Sequence, residues 1–351
     1  MITTLVLHLS TITQPAELIL DEQHYVPDAL SIINNHTTLH PEHTPLGKLF
    51  IASGIILFGD NPVGWRIFSV VFGSVSIVLF YFICRGLSLS RRTSSIATFL
   101  LALDNLTFVQ ASVTMLDVYC VTFMLASFLL YLKGRFSLAA VAVALSALAK
   151  MTGFLAAGVI GLHWLITFYQ TSRVPVMEAV HQTSSKPLKE WLNYLKIKRR
   201  EVFDFIASMI LAPACFIFFM PVFDFLVYRR FLSPVDRILE MVTLMSSLTF
   251  ANATHESMSR PWEWVILPKI MPYWYTPRYV GAISFTIWAL IIPTVIYLGF
   301  RAARGSRAGI FGLSWFICTY VIWIPLSIIT DRISFVFYFY PTVGAICIGL
   351  G

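Results

Sequence analysis

The sequence predicts an all-α, polytopic membrane protein, and three observations predict it. Hydrophobic residues make up 57% of the 351-residue chain, and mean hydropathy is +0.76. Charged residues make up only 12%, about half of the roughly 25% usual in a soluble domain. Apolar runs of about 20 residues recur, the length a helix needs to cross the hydrocarbon core. Lipid is therefore the expected solvent for most of this chain. The excess of Lys and Arg, 25 against 18 Asp and Glu, fits cytoplasmic loops and calls for no nucleic acid.

Residues 1–20 contain apolar residues, but Thr, Ser, His8, Gln14 and Pro15 interrupt them. No spanning helix is expected there. Without a basic stretch before an apolar core, no cleaved signal peptide is expected either. Leu20 to Lys48 is the most polar stretch of the chain. Leu49 to Phe58 is apolar but too short to cross, and reads as an interfacial helix ended by Gly59-Asp60-Asn61-Pro62.

About nine spans follow: Val63–Cys84, Ser95–Val113, Val118–Leu132, Phe136–Ala149, Phe154–Tyr169, Phe203–Phe223, Tyr279–Phe300, Gly309–Ile329 and Ile333–Leu350. The chain thus divides into a first external loop (1–62) and an N-terminal membrane half (63–223) with a basic loop at 171–202. A second external loop (224–278) and a C-terminal membrane half (279–351) follow. Cys84, Cys120, Cys215, Cys318 and Cys347 lie in apolar runs without metal-type spacing and read as small core residues.

The charges orient these spans. Segments 85–92, 133–135, 171–202 and 301–307 hold 15 of the 25 Lys and Arg and only three acids, Glu178, Glu190 and Glu201. They read as cytoplasmic. Alternation of spans then gathers the Asp21 loop, the Asp104–Asp117 end, the Lys150 turn and the Trp262 loop on the exoplasmic face. Carrying the first loop to that face is simplest if a further helix precedes this chain.

Several residues in that group carry chemistry, each with a plainer alternative. Asp21-Glu22 can supply a general base and an orienting partner or hold a divalent cation, or can be a solvated pair. His43 and Lys48, around the Pro45-Leu-Gly turn, can hold a phosphate, or Lys48 can snorkel. Asp117 opens a span, where an aspartate also serves as a cap. Asp104 is an ionisable group inside a span, a place that normally demands a cavity or a partner. Lys150 sits in a turn between apolar helices. Arg260-Pro-Trp-Glu-Trp264 is either an aromatic belt or a platform for a sugar or lipid head. Asn35-His-Thr, Asn105-Leu-Thr and Asn252-Ala-Thr match the glycosylation triplet.

These segments together resemble, in order, the motifs of the protein O-mannosyltransferase family, within the GT-C superfamily of membrane glycosyltransferases. Asp21-Glu22-Gln-His24-Tyr25 is similar to the family's acidic pair. His43-Thr-Pro45-Leu-Gly-Lys48 is similar to its His-Pro-Pro-Leu-Gly-Lys element, and Gln110 to Asp117 to its segment ending in Leu-Asp. Ala149-Lys150-Met-Thr-Gly153 resembles its Lys-Trp-Thr-Gly turn, Ser259 to Trp264 its Ser-Arg-Pro-Trp-Glu-Trp signature, and Phe335 to Pro341 its late aromatic helix. The departures are Ser112 where the family has an arginine, Thr44 for a proline, Met151 for a tryptophan, and Phe337-Tyr-Phe-Tyr340 without the histidine. The loop 224–278 has no room for the β-trefoil domain of the eukaryotic enzymes.

The resemblance implies inverting transfer of a sugar, typically mannose, from a dolichyl- or polyprenyl-phosphate donor to a hydroxyl. Asp21 would take the acceptor proton and Glu22 would help hold the acceptor. His43, Lys48 and Lys150 would face the departing phosphate, with Asp117 and Arg260 on the substrate side. It implies an integral protein of a prokaryotic plasma membrane or of the ER, working on the exoplasmic side among membrane lipids. A protein Ser/Thr acceptor, a lipid or glycan acceptor as in aminoarabinose-type relatives, and assembly as a dimer all stay open. A rival of another class is a membrane transporter or a non-catalytic paralogue that only binds ligand.

Overall fold

The computed structural model describes residues 2–183, 187–252, 254–275 and 278–351. Among the described residues its regular elements are helices, apart from a two-stranded antiparallel hairpin, Met271–Trp274 with Tyr279–Gly281, and an isolated bridge between Thr249 and Arg332. Among the described residues, four helices are long and apolar enough to cross a membrane: Pro62–Gly86, Met151–Ser172, Arg199–Tyr228 and Arg307–Thr330. A fifth span is counted if Asn105–Ser112 and Leu116–Leu132, bent by 114° at their junction, act as one. About nine spans were expected; the remaining apolar segments form shorter helices, such as Phe136–Ala149 and Ile291–Ala303. Outward-facing apolar residues such as Ile210, Phe218 and Ile296 are 65%, 70% and 68% exposed. On helices this apolar, such a surface suits lipid, and the protein is an integral membrane protein.

Three expected spans have different shapes. Ser95–Val113 is broken at Asp104, whose carboxylate accepts from the Thr107 amide at 2.9 Å and from the Ser284 amide at 2.9 Å. The partner expected for this ionisable group is thus a new helix start, Asn105–Ser112, and the chain entering the C-terminal half. Tyr279–Phe300 begins as a strand, because Tyr279–Gly281 pairs with Met271–Trp274, and only Phe285–Ala289 and Ile291–Ala303 are helical. Ile333–Leu350 is extended before turning helical at Val336–Phe339 and Tyr340–Leu350. The basic loop 171–202 is mostly a continuation of helix, Leu155–Thr183 and Pro187–Ile197; Lys186 lies outside the described residues. The second external loop also contains an amphipathic helix, Pro234–Ser246, whose N-terminus Ser233 caps.

Three short helices precede the long ones: Ile2–Thr11, Glu22–Asn35 and Pro45–Phe58. Ile2–Thr11, in the stretch without an expected span, is a 10-residue helix. Its His8 ring stacks on Phe108 at 4.1 Å, and His8 Nδ1 lies 2.8 Å from the Ser112 hydroxyl. The expected interfacial helix starts earlier than its apolar run, at Pro45, because proline suits a first helical position. It lies against Pro62–Gly86 at backbone contact: a Cβ on Gly54 would meet the Gly64 carbonyl at 2.2 Å. Only glycine permits that approach. Phe128, Phe311 and Trp315 centre the main core, with Trp315 Nε1 donating to the Pro341 carbonyl at 2.7 Å. That bond ties the last helix to Arg307–Phe316. All five cysteines are free, and Cys84, Cys120 and Cys347 are buried in the manner of small apolar residues.

Candidate active site

Asp21, His43, Asp117 and Lys150 line one cavity of about 920 Å³, although they come from four places in the chain. Asp21 sits in the turn just before the helix Glu22–Asn35. Asp117 is in the first turn of Leu116–Leu132, beyond the sharp bend, and Lys150 follows Phe136–Ala149. The bend brings Asp117 to Lys150: Nζ donates to both carboxylate oxygens, at 2.8 and 2.7 Å. Lys150 also lies 5.6 and 5.4 Å from the ring centres of Phe337 and Tyr338, within cation–π range. Burial lowers the Lys150 pKa, but Asp117, Tyr338 and Asp21 outweigh it and the net shift is upward. The ammonium therefore keeps its charge at neutral pH.

Among the described residues, Asp21 and Glu42 line this cavity with no Lys or Arg within ion-pair distance. Burial pushes the Asp21 carboxyl above the usual value; Lys150 pulls it back and Asp117 pushes it up again. His43 lies across from Tyr25, Nε2 to hydroxyl at 3.5 Å. Burial first, then the Lys150 and Lys48 ammoniums, hold its imidazole well below the usual range. At neutral pH it is an uncharged donor or acceptor and adds no positive charge.

Three expected site residues stand elsewhere. Glu22 does not line the cavity; it is wholly buried and pairs with Arg66 through both oxygens, at 2.8 and 2.7 Å. The other guanidinium hydrogens go to the Ile12, Pro15 and Glu17 carbonyls, at 3.1, 2.7 and 3.1 Å. All five donors are used. Glu22 also accepts from the Thr114 amide at 2.8 Å, so it fixes the turn carrying Asp21 to the bend before Asp117. An acid placed in that basic, carbonyl-rich socket is shielded from any acceptor.

Lys48 is 1% exposed, which corrects its expected place at the phosphate and at the membrane surface. Its Nζ lies 2.7 Å from Asp28 Oδ2 and donates to Thr38 Oγ1 at 2.7 Å and to the His40 carbonyl. Asp28 Oδ1 accepts from Thr38 Oγ1 and from the Leu39 amide, both at 2.5 Å. Arg237 donates to the Pro41 carbonyl at 3.2 Å. Lys48 and Asp28 thus pin the loop that supplies His40, Glu42 and His43 to the cavity wall.

Arg260 also stays off the cavity. It donates to the Ser327 carbonyl at 3.0 Å and to Asp331 at 2.5 Å, and stacks on Phe250 at 3.8 Å. Around it, Trp264 Nε1 donates to Ser259 at 2.9 Å and Tyr320 to the Pro261 carbonyl at 3.1 Å. The Arg-Pro-Trp-Glu-Trp run is a clamp on the segment after the last long span, not a belt or platform. The residue it presents is Arg332, next to Asp331, which lines the cavity.

Arg332 was missed from the sequence. Among the described residues it has no carboxylate within ion-pair distance, and its guanidinium reaches the Met245 carbonyl. The signal was present: Asp331-Arg332 is a charge pair lodged between two apolar runs. Among the described residues no three His, Cys, Asp or Glu converge so as to hold a metal ion.

A buried carboxylate, a charged ammonium and a guanidinium therefore line one chamber together with Glu42, Asp117 and several histidines, and much of its remaining wall, Val242, Met245 and Trp323 among it, is apolar. Residues 58–227 match the family described as dolichyl-phosphate-mannose-protein mannosyltransferase. The chain is 36% identical over 131 residues to the polyprenol-phosphate-mannose--protein mannosyltransferase of Mycobacterium tuberculosis, covering 35% of this chain and 24% of that protein. For the Mycolicibacterium smegmatis protein of the same name the figures are 35% over 131 residues, 35% and 25%. The match thus spans about a quarter of the length of these relatives. In fold, the chain resembles the crystal structure of ArnT from Cupriavidus metallidurans in the apo state, with TM-score 0.57 and 16% identity over 99% of this chain and 58% of that one. It also resembles the apo oligosaccharyltransferase of Archaeoglobus fulgidus, with TM-score 0.51 and 14% identity over 99% and 50%. The fold is thus of the GT-C type, and over residues 58–227 the chain resembles the dolichyl-phosphate-mannose-protein mannosyltransferase family.

Proposed function

We propose that the chain transfers a mannosyl group from a polyprenyl-phosphate donor to a hydroxyl of a protein, at the exoplasmic face of its membrane. The observation that carries this reading is the meeting of Asp21, Lys150 and Arg332 on one partly apolar cavity. Asp21 takes the proton from the acceptor hydroxyl as its oxygen attacks the anomeric carbon. The bond from that carbon to the phosphate oxygen breaks, and polyprenyl phosphate leaves with the electron pair. Attack from the side opposite the phosphate inverts the anomeric centre. Lys150 and Arg332 meet the charge that grows on the leaving phosphate, and the apolar walls receive the first units of the polyprenyl chain. Asp117 aims the Lys150 ammonium through its two-pronged bond. The excess of Lys and Arg on the opposite loops supports the exoplasmic assignment, and the relatives' printed names support the donor and the protein acceptor.

Membranes containing the protein, supplied with radiolabelled polyprenyl-phosphate mannose, test this. Label is expected in protein, and Asp21→Asn is expected to lower its transfer by about 10²-fold or more, the range of a lost general base. Undiminished transfer in an expressed Asp21→Asn protein removes the base assignment. Label in lipid or glycan alone removes the protein acceptor.

A further inference from the structure

A second cavity lies at the far end of Leu116–Leu132 from the catalytic chamber. That helix meets the chamber through Asp117 and the second cavity through Tyr131 and Leu132. At 1.5 Å per residue, the two ends are about 20 Å apart. The second cavity holds about 250 Å³. Gly134, Lys198 and Arg307 in its wall come from three of the basic segments, 133–135, 171–202 and 301–307, that read as one loop face.

Most of its groups are already matched. Trp164 stacks on Phe205 with ring centres 4.0 Å apart and on Phe168 at 4.8 Å, which gives the cavity a firm aromatic side. The Tyr131 hydroxyl lies 2.7 Å from His163 Nδ1. Lys198 donates to Glu201 at 2.7 Å, and Glu201 is the one carboxylate among the described lining residues. Arg307 is left over. Among the described residues it has no carboxylate within ion-pair distance. It also opens the helix Arg307–Phe316, whose first turn contains no acid. The positive end of a helix dipole is an unfavourable place for a cation. An anion in the cavity would relieve both the unpaired guanidinium and the helix end.

The adjoining surface says which anion. An open groove of about 690 Å³ runs beside the cavity, lined by Leu165, Ile166, Tyr169, Gln170, Ala303 and Gly305. Cavity and groove occupy neighbouring faces of Leu155–Thr183, and Gly305 is two residues from Arg307. Leu165 and Tyr169 are 58% and 56% exposed there, an apolar surface that suits a hydrocarbon chain. A free anion would fill the cavity and leave the groove bare. We propose that the pair is a binding site for an anionic glycerophospholipid, with its phosphate on Arg307 beside Lys198 and one acyl chain along the groove. The lipid would join the ends of elements that are distant in sequence, Tyr131, Trp164, Lys198 and Arg307. The site is separate from the chamber of Asp21 and does not depend on the transfer reading.

Native mass spectrometry of the detergent-purified protein, titrated with phosphatidylglycerol or phosphatidylcholine, tests this. Phosphatidylglycerol is expected to bind the more tightly. Arg307→Gln is expected to weaken its binding about fivefold, the contribution of one basic residue at an anionic lipid surface, and Lys198→Gln is expected to weaken it as well. Arg92→Gln, in the same set of basic segments but outside the cavity, is expected to leave it unchanged. Equal affinity for the two lipids, no weakening in either cavity variant, or an equal loss in Arg92→Gln overturns the site. Inorganic phosphate in excess is expected not to displace the lipid; displacement would make this a site for a free anion and overturn the lipid assignment.

Discussion

Glu22 and Arg66 face each other through two parallel hydrogen bonds, 2.8 and 2.7 Å, with both side chains wholly buried. Removing one charge from such a pair strands the other, which costs about 3–5 kcal/mol. Glu22→Gln is therefore expected to lower the melting temperature of the detergent-purified protein strongly. Asp21→Asn, one residue away, is expected to leave it nearly unchanged. Equal thermal stability of Glu22→Gln and the parent would contradict the pair's structural role.

The Asp21 carboxyl is held above its usual value, chiefly by burial. A general base works only when deprotonated. Transfer should therefore rise with pH through the raised Asp21 pKa, giving an acidic limb above the usual carboxylate midpoint of about 4. His43 is pushed the other way, well below the usual range, chiefly by burial, so it is uncharged at neutral pH. The pH profile of transfer is the measurement. His43→Gln is expected to change its height and not its midpoint; a midpoint that moves with His43→Gln would assign the limb to the imidazole.

Much of this arrangement was legible in the sequence, for physical reasons that can be named. Asp117 and Lys150 stand out because charge inside an apolar chain is costly and must have a purpose; Asp21, in the most polar stretch, is singled out by the resemblance of its acidic pair to the family's. Alternation of spans then gathers them on one side without any knowledge of contacts. What could not be read was which charges neutralise one another. Glu22 and Lys48 find buried partners in Arg66 and Asp28, 44 and 20 residues away. Asp28 sits inside a polar stretch where one more acid carries no signal. The span count of about nine was not confirmed, for a related reason. Asp104 and the hairpin at Tyr279 break apolar runs through long-range hydrogen bonds, and hydropathy is blind to these.

Among the described residues, Arg332 and Lys150 are the Lys and Arg side chains lining the larger cavity, and of the two Lys150 is the one paired with a carboxylate. Arg332 is thus the better placed to gain an anionic partner. Losing a charged hydrogen bond costs about 1.5–3 kcal/mol, so Arg332→Gln is expected to weaken donor binding by about 10- to 100-fold. Its fold is held by Arg260 and Asp331 and should survive. Lys150→Gln leaves Asp117 unpaired, so it should lose both stability and transfer. Binding of polyprenyl phosphate to the purified variants reads the difference. Unaltered affinity in Arg332→Gln would remove it from the phosphate.

Asp28 and Lys48 form an ion pair at 2.7 Å with almost no exposure, and both also bond the loop between them. Two effects are therefore coupled in one place. Asp28→Asn alone strands a buried ammonium and should destabilise the protein by about 3–5 kcal/mol. Asp28→Asn with Lys48→Met removes both charges and should recover most of that loss. Transfer should not recover with it. The double variant no longer anchors the loop carrying His40, Glu42 and His43, and a displacement of about 1 Å in a reacting geometry can cost about 10²-fold. Melting temperature and turnover, measured together on the single and double variants, separate the two effects. If turnover returns in step with stability, the pair only holds the fold; if it stays low in a protein that melts like the parent, the pair positions the wall of the site.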